Sequence, residues 1–185
     1  MKLLLRCSVA LTLAASLCPT WLTAEEAPRV IRLEENLAFG DLLVLGEAEN
    51  VHLPEFNVTW PARIDTGATT TSIHAVDIEI FERDGKEWVR FTLRNDEDDT
   101  SIETSRPVER MVRIKKRESE ESHQRAVVQL DVTIGEVSRR IEVNLTDRGD
   151  FEFPLLIGRN FLQQVAIVDV SQSYVQDTPQ PAKEE

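Results

Sequence analysis

Residues 63–74 read RIDTGATTTSIH: an Asp-Thr-Gly directly behind the apolar run VTWPARI (58–64) and followed by small hydroxyl residues. A carboxylate just past a strand end, with glycine two residues on, sits in a sharp loop where glycine lets another backbone approach closely. The hydroxyl of Thr66 can hydrogen-bond across such a loop and fix it. This arrangement suits two symmetry-related loops, each presenting one Asp. Carboxylates about 3 Å apart cannot both ionise, so they share a proton; one activates water while the other donates to a scissile carbonyl. The chain holds a single Asp-Thr-Gly, so such a pair requires a homodimer with the site on its two-fold axis. The competing reading is a plain turn, because Asp, Thr and Gly are all common turn residues.

Outward from this stretch, short apolar or alternating runs separated by turn residues predict an all-β domain. Strands are expected over 42–45, 51–53 and 58–64, the last running into Asp65. AVDIEIFERDGKEWVRFTL (75–93) reads as a hairpin turning at Asp84-Gly85, a pair that tolerates the positive φ of a tight turn. AVVQLDVTIGEVSRRIEVNL (126–145) reads as a second hairpin, turning near Gly135 and Glu136. The charged segments NDEDD and RIKKRESEESHQR between them read as solvated loops or hairpin tips. A flexible flap over the site is expected between Phe91 and Lys116. FPLLIGRNFLQQVAIVDV (153–170) predicts an apolar strand, a Gly-Arg turn, one short helix and a final strand. Its LLIGRN loosely resembles ARIDTGA.

The first 24 residues carry Lys2 and Arg6, then an apolar run, with no acid before Glu25. This is the pattern of a signal peptide cleaved after Ala24, too short to be a spanning helix, and it places the chain in the periplasm or outside the cell. No membrane span is expected after cleavage. Residues 25–40 read as an arm or linker, 41–174 as the domain, and 175–185, Pro-rich and charged, as a disordered tail. Both cysteines, Cys7 and Cys18, fall in the leader, so the mature chain has no thiol for a disulfide, nucleophile or metal. The formal charge of −12 becomes −14 when Lys2 and Arg6 leave, which argues against nucleic acid and anionic lipid as partners. His52, His74 and His123 form no ligand pair at metal-binding spacing, so no metal site and no cofactor are expected.

PLLIGRNFL (154–162) resembles the segment behind the active-site loop of retropepsins, the half-size viral-type aspartic proteases. ARIDTGATTTSIHA, DGKEWVRFTL, RPVERMVRIK, VTIGEVSRRIEVNLTDR and FPLLIGRNFL together resemble a bacterial retropepsin-like family, the RimB-like proteins, long labelled ATP-dependent zinc proteases. The resemblance spans about residues 42–174. It implies a closed retropepsin-like β-barrel, the acid-protease half, with one short C-terminal helix. It also implies that Asp65 is catalytic, that Thr66, Gly67 and Ala68 form its loop, and that Gly158, Arg159 and Asn160 support that loop. His74, Asp147 and Arg148 also fall within matching motifs. For His74 and Arg148 the resemblance leaves open substrate binding; for Asp147, a buried ion pair with another segment. The zinc and ATP of the label find no counterpart here, neither a zinc motif nor a phosphate-binding Gly-rich loop. Members of the family are associated with ATP-grasp ligases that add glutamate to proteins, which implies processing of modified polypeptides.

Two functions from different classes follow. One is an aspartic endopeptidase acting as a homodimer on a polypeptide. The other is a peptide-binding or adaptor module that keeps the fold without appreciable turnover.

Overall fold

The alternation read around Asp65 closes into a barrel. A computed structural model describes residues 38–39, 42–115 and 122–179, all within one compact unit, Leu33–Glu185. The strands are β1 (Ala38–Phe39), β2 (Leu42–Leu45), β3 (Ala48–Leu53), β4 (Val58–Ile64), β5 (Thr71–Arg83), β6 (Lys86–Asn95), β7 (Thr100–Pro107), β8 (Arg110–Lys115), β9 (Ser122–Ile134), β10 (Val137–Thr146), β11 (Leu155–Ile157) and β12 (Ala166–Val168). One four-residue helix, α1 (Arg159–Leu162), lies between the last two strands. The expected all-β fold with a short C-terminal helix is therefore what the chain adopts.

Six strands pair in the order β10-β9-β3-β4-β11-β5, and β5 returns to β10 to close the ring. Alternate residues of each strand point inward: Trp60, Ala62 and Ile64 from β4, Leu130, Val132 and Ile134 from β9, and Ile141, Val143 and Leu145 from β10. That period of two is how strands with one exposed face fill a barrel. Phe161 of α1 completes the core and is fully buried.

β5 is long because it belongs to two structures. Its first half, Thr71–Ala75, lies in the barrel, and a register shift between Val76 and Glu79 redirects the rest into a β5-β6-β7 meander. Asp77 sits at that shift with a left-handed φ of 51°, a conformation that aspartate tolerates better than most residues. The β5-β6 turn falls where expected, with Asp84 and Gly85 at φ 53° and 71°.

The stretch from Phe91 to Lys116, expected to supply a flap, consists mostly of paired strands: β7 pairs along β6 and β8 pairs on β9. The tip joining β8 to β9, 116–121, lies outside the described residues, as do the leader and most of the arm. The expectations for the two ends of the domain need correction. Ala38 and Phe39, placed in the arm, form β1 against β2; two residues are too few to show a period. Residues 175–178, read as disordered tail, lie against β3. There the buried Glu49 carboxylate accepts the N–H groups of Val175 and Gln176, each at 3.1 Å, and Asn50 Nδ2 donates to Thr178 Oγ1. Backbone hydrogen bonding, invisible in a polar composition, holds this segment.

Candidate active site

β4 and β11 run parallel in register, Ala62 opposite Leu155 and Ile64 opposite Ile157. The two similar units, ARIDTGA and LLIGRN, thus lie side by side and end together. The Asp65 N–H extends the ladder by donating to the Ile157 carbonyl at 2.9 Å. Beyond that point the chain turns sharply, and Asp65 Oδ1 accepts the N–H groups of Gly67 (2.8 Å) and Ala68 (3.1 Å). The carboxylate is therefore fixed by its own loop, half-buried at a strand end.

The segment after β11 ties this loop down. Arg159 donates through Nη1 to the carbonyls of Thr66 (3.2 Å) and Gly67 (2.7 Å), and through Nη2 to Thr69 Oγ1 (2.9 Å). Its backbone N–H reaches the Ala68 carbonyl at 2.8 Å. Asn160 Oδ1 accepts both the N–H and the hydroxyl of Thr71, and Asn160 Nδ2 donates to the Glu142 carbonyl at 2.7 Å. The Thr71 hydroxyl in turn accepts the Gly158 N–H at 3.1 Å. Thr66, Gly67, Ala68, Gly158, Arg159 and Asn160 thus come together around Asp65.

Two details differ from the sequence reading. Close backbone approach occurs at Gly158, where a Cβ would lie 2.7 Å from the Thr70 carbonyl carbon, whereas a Cβ on Gly67 would meet the Asp65 carboxylate at 3.1 Å. The exposed Thr66 hydroxyl makes no hydrogen bond among the described residues; Arg159 fixes the loop through the Thr66 carbonyl instead. Thr69 and Thr71 carry the bonding, and the run of hydroxyl residues after Gly67 was their signal.

His74 and Arg148 lie apart from this network, in a cluster of their own. Both are buried, and the Arg148 N–H donates to His74 Nδ1 at 2.7 Å. Arg148 Nε donates to the Phe153 carbonyl and Nη1 to Ser72 Oγ, each at 3.1 Å. The Phe151 ring covers the guanidinium at 4.7 Å. Burial pulls the Arg148 pKa below its usual value, Arg125 adds to this by repulsion, and Asp65 opposes it by attraction. The group remains a cation within electrostatic reach of Asp65. The pairing expected of Asp147 is found only in part: its Oδ1 lies 3.5 Å from Nδ1 of the buried His74, an ion pair only with a protonated imidazole, while Asp147 itself is 79% exposed rather than buried.

A model of the RimB-like family, described as the retropepsin-like aspartic endopeptidase RimB, matches residues 44–179. The chain belongs to the RimB-like family. This family member also resembles proteins named "Probable alpha-L-glutamate ligase". The one from Desulfotalea psychrophila is 37% identical over 130 residues, which are 68% of this chain and 28% of the relative. The one from Shewanella pealeana is 33% identical over 135 residues, 71% of this chain and 29% of the relative. The RimB-like chain therefore spans under a third of the length of these curated relatives. Among solved structures, a Legionella pneumophila protein of unknown function is 31% identical with a TM-score of 0.61, covering 74% of this chain and 98% of that one.

Proposed function

We propose that this RimB-like chain is an aspartic peptide hydrolase whose dyad is formed by Asp65 from two copies. The observation that carries the reading is the Asp65 loop: one carboxylate at a strand end, locked by Gly67, Ala68 and Arg159, with no second Asp-Thr-Gly in the chain. A loop so immobilised presents its carboxylate in one orientation, which a shared-proton mechanism needs. The exposed Thr66, with no partner among the described residues, is free to meet its equivalent across a two-fold axis.

In the assembled site one Asp65 holds the shared proton and the other is ionised. The ionised carboxylate takes a proton from water as the oxygen attacks the scissile carbonyl, and the protonated one donates to the developing oxyanion. As the tetrahedral gem-diol collapses, the carboxyl that took the proton from water passes it to the leaving nitrogen, so the C–N bond breaks with release of a neutral amine. The other carboxylate takes back a hydroxyl proton, and the shared-proton state is restored. No covalent enzyme intermediate forms.

The substrate is a polypeptide, and the ligase names of the relatives support one that carries added glutamate. Those names also support a working link to an ATP-grasp ligase. The basic, apolar character of residues 1–24 supports action in the periplasm or outside the cell.

The test is hydrolysis of a peptide library by the wild type and Asp65→Asn, alongside sedimentation equilibrium of both. Cleavage by a dimeric wild type alone supports the reading. A strict monomer without cleavage removes the dyad and leaves a binding module, whereas unchanged cleavage by Asp65→Asn removes Asp65 from the chemistry.

A further inference from the structure

Arg148 is only 7% exposed, yet it meets no carboxylate among the described residues. A buried cation is normally paired, because neutral acceptors alone offset little of its lost hydration. Here Nε and Nη1 are held by a carbonyl and a hydroxyl, and Nη2 makes no hydrogen bond among the described residues. Arg90, Arg106, Arg110 and Arg140, all less buried, are each paired with Asp or Glu, whereas the buried Arg148 is not.

His74 adds a second donor. Its Nδ1 accepts the Arg148 N–H, so its lone pair is used and the ring proton of the neutral imidazole sits on Nε2. Nε2 has no partner among the described residues. His74 and Arg148 both line a pocket of about 310 Å³, with Asn95, Phe151 and Pro154 among its other walls. Phe151 covers one face of the guanidinium and leaves its edge for an in-plane acceptor. His74 belongs to β5, the strand that leaves the Asp65 loop.

We propose that this pocket binds one carboxylate of the substrate chain, with Arg148 Nη2 and His74 Nε2 as donors, making Arg148 a specificity-determining residue. The chemistry is shared by a chain-terminal α-carboxylate and an acidic side chain. Asp96, Glu97 and Glu152 also line the pocket. Arg94 engages Asp96, but Glu97 and Glu152 are exposed and unpaired among the described residues. These acids disfavour a second carboxylate within the pocket, so the pocket takes one, and any further acidic groups of the substrate lie outside it. The inference rests on the hydrolase reading only for the identity of its ligand as substrate.

The test is an NMR titration of the full chain, as wild type and as Asp65→Asn, following the His74 imidazole nitrogens and the Arg148 Nε. The probes are N-acetyl-dialanine with a free carboxylate, its C-terminal amide, and N-acetylglutamate N-methylamide, which keeps only the side-chain carboxylate. One or both acids should shift these signals saturably while the amide leaves them unmoved, and the tighter acid identifies the source. Arg148→Gln should weaken acid binding by about tenfold or more, the loss of one charge-assisted hydrogen bond. The acid-against-amide comparison needs no change at Arg148, so it survives a variant that misfolds. Equal shifts from acid and amide, no shift from either acid, or undiminished binding by a folded Arg148→Gln would overturn the proposal. Acid binding without peptide cleavage would overturn the hydrolase reading alone.

Discussion

Asn160 Oδ1 accepts two hydrogen bonds from Thr71, one from its backbone N–H and one from its hydroxyl, both 2.9 Å long. The two residues are 89 positions apart, and their contact joins the end of the Asp65 loop to the start of α1. With the Asn160 bond to the Glu142 carbonyl, one side chain spans three segments.

Asn160→Ala removes three hydrogen bonds and leaves the Thr71 N–H and the Glu142 carbonyl without this partner. The expected loss is roughly 2–4 kcal/mol, read as a lower urea midpoint with an unchanged slope. A loss well below 1 kcal/mol would mean that water substitutes for the side chain.

Gly158→Ala tests close packing without backbone strain. Gly158 has φ −96° and ψ −178°, extended values open to any residue. The added methyl would lie 2.7 to 3.0 Å from the Thr70 backbone, which has no rotamer with which to yield. The substitution should displace the Asp65 loop and abolish peptide hydrolysis. Gly85→Ala is the control: at φ +71° with nothing within 4 Å of the new carbon, it should lose only about 1 kcal/mol and keep activity.

Arg159→Lys keeps the charge and loses the fork. A lysine ammonium does not reproduce the bonds to the Thr66 and Gly67 carbonyls and the Thr69 hydroxyl. Hydrolysis should fall by about tenfold or more, mainly in kcat, with little change in the urea midpoint. A pure KM effect would instead place Arg159 on the substrate.

Glu49 should make stability depend on pH. Burial raises its carboxyl above the ordinary 4.5, outweighing the lowering by the N–H groups of Gly46, Gln176 and Val175. Between 4.5 and the raised value the folded chain binds more protons than the unfolded one, so stability falls as pH rises through that window. Urea midpoints from pH 4 upward should show this component in the wild type and lack it in Glu49→Gln. An identical pH profile in both would contradict it.

Much of this molecule was legible because its signals are local. Strand alternation reports burial residue by residue, and Asp84-Gly85 needs only its own backbone preference to turn. The loose similarity of ARIDTGA and LLIGRN was visible in the sequence, but that their strands pair side by side is seen only in the fold. The bulge at Asp77 gave no comparable sign, since aspartate is ordinary in both turns and exposed strand faces. The packing of residues 175–178 depends on Glu49, over 120 positions earlier. A buried carboxylate facing backbone N–H groups looks, in sequence, like any surface acid. The His74–Arg148 contact is hidden for the same reason, with 74 positions between the partners.

The central claim is that each active site takes one Asp65 from each of two chains. Its most direct test mixes wild type with Asp65→Asn at constant total protein, allows subunits to exchange, and measures hydrolysis against the wild-type fraction. A shared dyad predicts that activity follows the square of that fraction, because mixed dimers hold a single carboxylate. A linear dependence would show that each chain works alone and would contradict the account.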